Sequence, residues 1–274
     1  MLRTENLTYV YEDGTVALNN INIDMNKGNR IGIIGANGCG KSTLFLNIIG
    51  ILKPKKGSVL YEDEKIQYNK KFLREFRQKV SIVFQDPDKQ IFYSNVYDDV
   101  AFALRNLDFP EDIVKERVEQ ALRKTGAYEF KEKPVHFLSY GQKKRVAMAG
   151  VLAMNSDIIL LDEPTAGLDP LMTKSVTEII HKLSADGKKI VISSHNMDSI
   201  YDICDYVYVL SKGKVVGEGS VEEVFTKEEL LNEAGLNQPW LVKLHKNLNV
   251  PLFKNEESFY KYWREQYGNS GSRS

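Results

Sequence analysis

Residues 35–42 read GANGCGKS and fit the pattern G-x-x-x-x-G-K-[ST], a loop whose backbone N–H groups wrap phosphates. Gly35, Gly38 and Gly40 let the backbone approach a phosphate closely and adopt positive φ where needed. Ala36, Asn37 and Cys39 fill the other loop positions; Cys39 reads as a small filler whose N–H matters rather than as a reactive thiol. Lys41 is expected to reach the β- and γ-phosphates of a nucleoside triphosphate and the Ser42 hydroxyl to ligate Mg²⁺, with Thr43 alongside. The glycine order is G-x-x-G-x-G, not the dinucleotide order G-x-G-x-x-G. A second cluster stands at 158–163, where the apolar run IILL ends in Asp162 and Glu163. Asp162, at a strand tip, is expected to hold Mg²⁺ through water opposite Ser42. Glu163 is then placed to orient and deprotonate an attacking water.

Such a loop needs a strand before it and a helix after it, and the flanks supply both. RIGII (30–34) is an apolar β run, and STLFLNIIG (42–50) continues as a helix whose N-terminal dipole would face the phosphates. Alternation at 7–11 and at Ile21, Ile23 and Met25 predicts short strands in the first thirty residues. GSVLYE (57–62) and VSIVFQ (80–85) read as further strands. From about 91 to 150 the chain turns helical, with Val114, Val118 and Leu122 repeating between Pro110 and Gly126. The α/β rhythm returns with DIILLD (157–162), a helix after Pro170, KIVISS (189–194), YVYVLS (206–211) and KVVGE (214–218). Three short helical patterns follow residue 226. They carry Trp240, Leu241, Leu244, Leu248, Phe259, Tyr260, Trp263 and Tyr267 at helical spacing, which reads first as packing against the main domain.

Composition narrows the classes. At 274 residues, the chain suffices for one large domain or one domain with an appendage. Lys+Arg and Asp+Glu balance at 37 each, so the basic surplus of a chain that grips nucleic acid is missing and no such partner is expected. The apolar stretches fall far short of the roughly 20 residues needed to cross a bilayer. Arg3 and Glu5 stand where a signal peptide would need an apolar core. Any membrane role is therefore expected to come through a partner. Cys39 and Cys204 offer neither a disulfide framework nor metal-ligand spacing, which suits a reducing cytosol.

The string LSYGQ at 138–142, together with the glycine loop and the segment DEPTAGLDP (162–170), makes the chain resemble the ATP-binding cassette (ABC) ATPases. The resemblance covers about residues 1–225. It implies an α/β fold with a P-loop NTPase core, an N-terminal antiparallel β-subdomain, an inserted α-helical subdomain (about 91–150) and a small helical C-terminal extension (226–267). Residues 268–274 (GNSGSRS) read as a flexible tail. In this family pattern Gln85 touches Mg²⁺ and the attacking water, and His195 hydrogen-bonds the γ-phosphate. Tyr11 matches the residue that stacks on adenine, although a packing tyrosine fits it nearly as well. Leu138, Ser139, Tyr140, Gly141 and Gln142 form the signature, with Tyr140 where the commonest form has glycine. The resemblance places the signature far from its own glycine loop, so it acts in trans in a head-to-tail dimer with two ATP molecules at the interface. Asp169 then contacts the partner subunit.

Within the family, the absence of fused membrane helices, of a second cassette and of a sustained heptad insertion leaves an importer's separate ATPase subunit. The segment FQDPDKQIF (84–92) and the run LSYGQKKRVAMAGVLAM resemble the energy-coupling factor type, most of all the cobalt/nickel importer ATPases. This implies an ATPase with ATP and Mg²⁺ as cofactors, peripheral on the cytoplasmic face of the membrane. Its partners would be a second ATPase subunit, identical or paralogous, and integral transmembrane and substrate-binding components. A vitamin importer or a soluble ABC ATPase would use nearly the same residues. Ile91, Phe92, Tyr93 and Val96 form an apolar strip suited either to a partner's amphipathic helix or to internal packing. His136, His181 and His245 lack a motif and read as surface or packing residues.

Overall fold

Period-two alternation produces a hairpin at the N-terminus, where β1 (Leu2–Val10) and β2 (Val16–Asp24) pair antiparallel. The computed structural model describes residues 1–267, so the tail expected at 268–274 lies outside the described residues. After the hairpin come β3 (Arg30–Ile34), α1 (Lys41–Ile48), β4 (Lys56–Tyr61), β5 (Glu64–Lys65), α2 (Lys70–Lys79) and β6 (Val80–Val83). The helical block holds α3 (Val96–Asn106), α4 (Glu111–Lys124) and α5 (Tyr140–Ala153). Next are β7 (Ile158–Asp162), α6 (Pro170–Ala185), β8 (Lys189–Ser194), α7 (Met197–Ile203), β9 (Tyr206–Ser211) and β10 (Lys214–Ser220). Four helices close the described chain: α8 (Val221–Phe225), α9 (Glu228–Glu233), α10 (Trp240–Leu248) and α11 (Glu256–Tyr267).

Two sheets result. One is antiparallel, in the order β2-β1-β4-β5, and the other runs β10-β9-β3-β8-β7-β6. In the second, β9, β3, β8, β7 and β6 are mutually parallel and only β10 is antiparallel. Parallel strands are covered on both faces and need continuous apolar runs rather than alternation. IILLD and KIVISS meet that need, since every residue of β7 and β8 is buried. One core lies between the two sheets around α1, with Leu44, Phe45 and Ile48 against Ile31, Ile33 and Tyr208. A second core forms under α6 and α7. The helical block has its own core of Val96, Val100, Leu104, Val114, Val118 and Leu122, on the spacing predicted for α4.

Helices α8 to α11 share the second core: Phe225, Leu231, Leu241, Val242 and Phe253 pack with Ile180, Ile190 and Tyr201. The face of this region that carries Leu248, Tyr260 and Trp263 stays exposed. Helix α10 begins on the main domain, because the Asp198 carboxylate accepts from the Trp240 N–H at 2.8 Å. Phe225 is fully buried, edge-on to Tyr201 at 5.7 Å between ring centres. Phe225→Ala should therefore cost about 3–5 kcal/mol, the range for truncating a buried aromatic ring. Denaturant unfolding checks it; a loss below about 1 kcal/mol would mean that the closing helices do not share the main core.

Sequence and structure differ in three places relevant to the site. The strand expected at 80–85 ends at Val83, because the Gln90 side chain takes the Phe84 N–H at 3.0 Å and turns the chain out of the sheet. The apolar strip divides. Val96 is fully buried and Ile91 packs on the helical core, whereas Phe92 and Tyr93 are 74% and 45% exposed beside Phe102. Lastly, Lys70–Lys79 forms a helix between two of the expected strands; Asn69 caps it through the Phe72 N–H.

Candidate nucleotide site

Four neighbouring parallel strands, in the order β3, β8, β7, β6, deliver their carboxyl ends to one edge of the sheet. That edge is where ligands bind in open α/β sheets. The glycine loop follows β3, His195 follows β8, Asp162 ends β7 with Glu163 next to it, and Gln85 lies two residues beyond β6. Register brings Ile34 beside Ser194 and Asp162 beside Ser193. A cleft of about 580 Å³ opens there, lined by Tyr11, Asn37, Gly38, Gly40, Lys41, Ser42, Thr43, Gln85 and Glu163, among others.

The loop is built by close backbone approach. Gly40 has φ +110°, and a Cβ there would lie 2.6 Å from the Ala17 carbonyl oxygen. At Gly35 a Cβ would meet the Leu210 carbonyl at 2.3 Å. Cys39 is buried, its N–H donates to Ala36 O at 3.2 Å, and burial pushes its thiol up, which agrees with a filler. No side chain caps α1 and no acid stands in its first turn. Gly40, Lys41, Ser42 and Thr43, at its start, line the cleft, and a helix start of this kind suits an anion.

Lys41, 6% exposed, donates to Gly35 O at 2.7 Å and Ala36 O at 3.3 Å, and lies 3.6 Å from Glu163 Oε1. The other Glu163 oxygen lies 2.9 Å from His195 Nδ1. One buried carboxylate is thus shared by the loop lysine and the exposed histidine. Glu163 has φ +46°, a left-handed conformation uncommon for a side chain of this size. Its N–H is held by Ser193 through both the carbonyl and the hydroxyl, each at 3.1 Å. The same hydroxyl donates to Asp162 Oδ1. Tyr11, 40% exposed, sits at the rim, its hydroxyl 2.9 Å from Thr43 Oγ1 and its ring edge-on to Tyr9.

Ser42, Gln85 and Asp162 offer a hydroxyl, an amide carbonyl and a carboxylate, all hard oxygen donors. Among the described residues there is no cluster of three His, Cys, Asp or Glu side chains that could cage a metal. A single acid with neutral oxygens fits a magnesium ion held largely by phosphates and water. The donor set therefore suits Mg²⁺ beside a bound nucleotide.

The signature residues are not brought into this cleft. Leu138 is buried in the helical core, and Ser139 caps α5 in a box with Gln142: Gln142 N donates to Ser139 Oγ at 3.3 Å and Ser139 N to Gln142 Oε1 at 2.9 Å. Gly141 sits in the first turn of α5, which starts at Tyr140. Tyr140 and Lys144 on α5 nonetheless both reach the Gln85 carbonyl. Asp169, expected at a subunit contact, has a local task as well. It caps α6 by accepting from Met172 N at 2.8 Å. The remaining histidines have ordinary surroundings: His136 rests on Phe137, His181 meets Arg30, and His245 meets the Val250 carbonyl.

Sequence reading missed Ser193 and Lys144, which lie outside the cleft's lining, and the turn residues Lys212 and Gly213, which belong to it. The serine pair after KIVI was the only hint of Ser193. Nothing local marks Lys144, because its partners are backbone carbonyls distant in sequence.

This core, with its glycine loop and an inserted helical block carrying the signature, is that of an ABC ATPase, and the chain belongs to the ABC transporter ATP-binding family. The family model described as "ABC transporter" matches residues 18–166. An ABC transporter ATP-binding protein of Listeria monocytogenes serotype 4b is 56% identical over 96% of this chain and 98% of its own. The cobalt import ATP-binding protein CbiO of Salmonella paratyphi A is 48% identical over 95% of this chain and 96% of its own. An energy-coupling factor transporter ATP-binding protein, EcfA3 of Clostridium perfringens, is 44% identical over 87% and 84%. Among solved structures, cbiO1 of Clostridium perfringens, described as part of the ABC transporter complex cbiONQ, is 43% identical with a TM-score of 0.75, covering 89% of this chain and 98% of that one. The cassette MJ0796, described as a dimer in a post-hydrolysis state bound to ADP and Pi, is 28% identical with a TM-score of 0.74, covering 81% and 99%. The protein is accordingly an ATP-binding ATPase of the energy-coupling factor and CbiO type.

Proposed function

We propose that this chain is the ATP-hydrolysing subunit of a membrane importer for cobalt or nickel ions, working as a head-to-tail dimer. The observation that carries the hydrolytic part is the buried Glu163 carboxylate, shared by Lys41 and His195 at the sheet edge. In this reading Lys41 and the first N–H groups of α1 bind the phosphates, and Tyr11 stacks on adenine. Glu163 orients the attacking water and takes its proton, while His195 donates to the γ-phosphate. Ser42, Gln85 and Asp162 would hold Mg²⁺, which when bound neutralises charge on the phosphates.

Support for the dimer comes from the signature. The capped start of α5 is absent from the cleft's lining, and a dimeric cassette shares the fold. A second subunit, identical or paralogous, would then present Ser139 and Gly141 to this chain's nucleotide, with Asp169 near the contact. Support for the cargo is the identity to a protein named for cobalt import and the likeness to one described within cbiONQ. Among the described residues no helix is long and apolar enough to cross a membrane. Membrane partners would therefore hold this subunit peripherally on the cytoplasmic face. The exposed rings of Phe92 and Tyr93, just past Gln85, suit an amphipathic helix of the transmembrane component.

Purifying the complex from detergent-solubilised membranes through this subunit tests the reading. Transmembrane and substrate-binding components should co-elute, with cobalt or nickel retained and ATP hydrolysis coupled to its uptake in vesicles. An ATPase that elutes alone would overturn the importer assignment; a retained vitamin would overturn the metal.

A further inference from the structure

Lys144 has no exposed surface, yet its ammonium makes no ion pair among those found in the described residues. It donates instead to two backbone carbonyls, Gln85 O at 2.7 Å and Glu163 O at 3.0 Å. One helical turn earlier, the Tyr140 hydroxyl donates to the same Gln85 carbonyl at 3.2 Å. The Tyr140 ring also lies on the segment after Glu163: a Cβ on Gly167 would meet its Cε1 at 3.2 Å. Residues four apart share one face of a helix, so both groups project together from the first turns of α5.

Burial of an ammonium is costly unless its donors are satisfied, and here burial pushes Lys144 down to about 8. The lysine ties together two loops that leave the ends of neighbouring paired strands, β6 and β7. One carries Gln85 beyond the end of β6. The other carries Glu163 in its left-handed backbone: Ser193 accepts its N–H, and its carbonyl accepts from Lys144 and from the Ala166 N–H at 3.2 Å.

We propose that Tyr140 and Lys144 are positioning residues for ATP hydrolysis, a two-point clamp on α5 that sets the distance between the Gln85 and Glu163 peptides and so aligns their side chains across the cleft. The inference rests on the roles given to Gln85 and Glu163 above. Neither residue lines the cleft; Lys144 acts through both carbonyls and Tyr140 through that of Gln85. Tyr140 stands where the commonest signature has glycine, which leaves no hydroxyl for the first point of the clamp.

The test is steady-state ATP hydrolysis and nucleotide affinity for the full chain in its transporter complex. Lys144→Met should lower kcat by about 10–100-fold, the scale of a displacement near 1 Å at a reacting centre, while KM for ATP and ATP affinity shift less than about threefold. Lys144→Arg keeps a donor and should recover most of the loss. Tyr140→Phe removes one hydroxyl from a partly exposed side chain and should lower kcat by about three- to tenfold with unchanged thermal unfolding. In a Glu163→Gln background, Lys144→Met should cost less than in the wild type, because part of the clamp's effect runs through Glu163. Unchanged kcat in Lys144→Met and Tyr140→Phe, a full additional loss in the Glu163→Gln background, or a loss of ATP affinity in place of kcat would each overturn the proposal. Near-normal turnover in Glu163→Gln alone would instead sink the base assignment beneath it, whatever the clamp variants do.

Discussion

Glu163→Gln is expected to leave ATP binding intact and to slow turnover by about 10²–10⁴-fold, the usual worth of a positioned general base. The substitution keeps the shape and both heavy-atom positions of the side chain, so packing around a buried residue should survive. What it removes is the charge that Lys41 approaches at 3.6 Å and His195 at 2.9 Å, and with it the ability to accept a proton from water. Lys41 retains its carbonyl partners at Gly35 and Ala36, so the phosphate loop keeps its form. Phosphate release and nucleotide affinity, measured side by side, separate the two functions. Hydrolysis near the wild-type rate would remove Glu163 from the mechanism and shift attention to His195 and Gln85.

Ser139→Arg should allow each subunit to bind ATP while abolishing ATP-dependent dimerisation. A hydrogen bond to a charged group contributes about 1.5–3 kcal/mol. A symmetric dimer loses it twice and must also fit a longer side chain at each site, so the association constant should fall by at least about 10²-fold. Ser139 also caps α5, and loss of the cap alone costs about 1 kcal/mol. Ser139→Asn retains a capping side chain and separates the two effects, since it should disturb stability little while still weakening dimer closure. Sedimentation with ATP in the Glu163→Gln background reads the outcome. Unchanged dimerisation of the arginine variant would remove the in-trans role of the signature.

Local motifs were legible in the sequence because their chemistry depends on a few consecutive residues at strand ends. The glycine loop, Asp162 and Glu163 belong to this kind, whereas His195 stands out only through the family resemblance; parallel pairing of β3, β8 and β7 brings them together. Features that arise when distant segments approach were not legible. Lys144 reads in the sequence as half of an ordinary double lysine, and only the folded chain shows both of its partners to be carbonyls. Phe92 and Val96 read as one apolar strip, yet Val96 starts a helix and turns inward while Phe92 remains outside. The β6 strand stops before Gln85 because a side chain six residues along takes a backbone N–H from the sheet, a contact with no periodic signal. Asp169 shows a different kind of gap, since a family pattern names its contact with another subunit and says nothing of its cap on α6.

The left-handed backbone at Glu163 has a consequence for anyone who evolves this protein in the laboratory. A non-glycine residue in that conformation carries a strain of about 1–2 kcal/mol, and glycine would relieve it. A library selected for thermal tolerance alone is therefore drawn toward glycine or asparagine at this position, and either one deletes the carboxylate. Heat-resistant variants recovered without an activity screen would be enriched in proteins that grip nucleotide and seldom release phosphate.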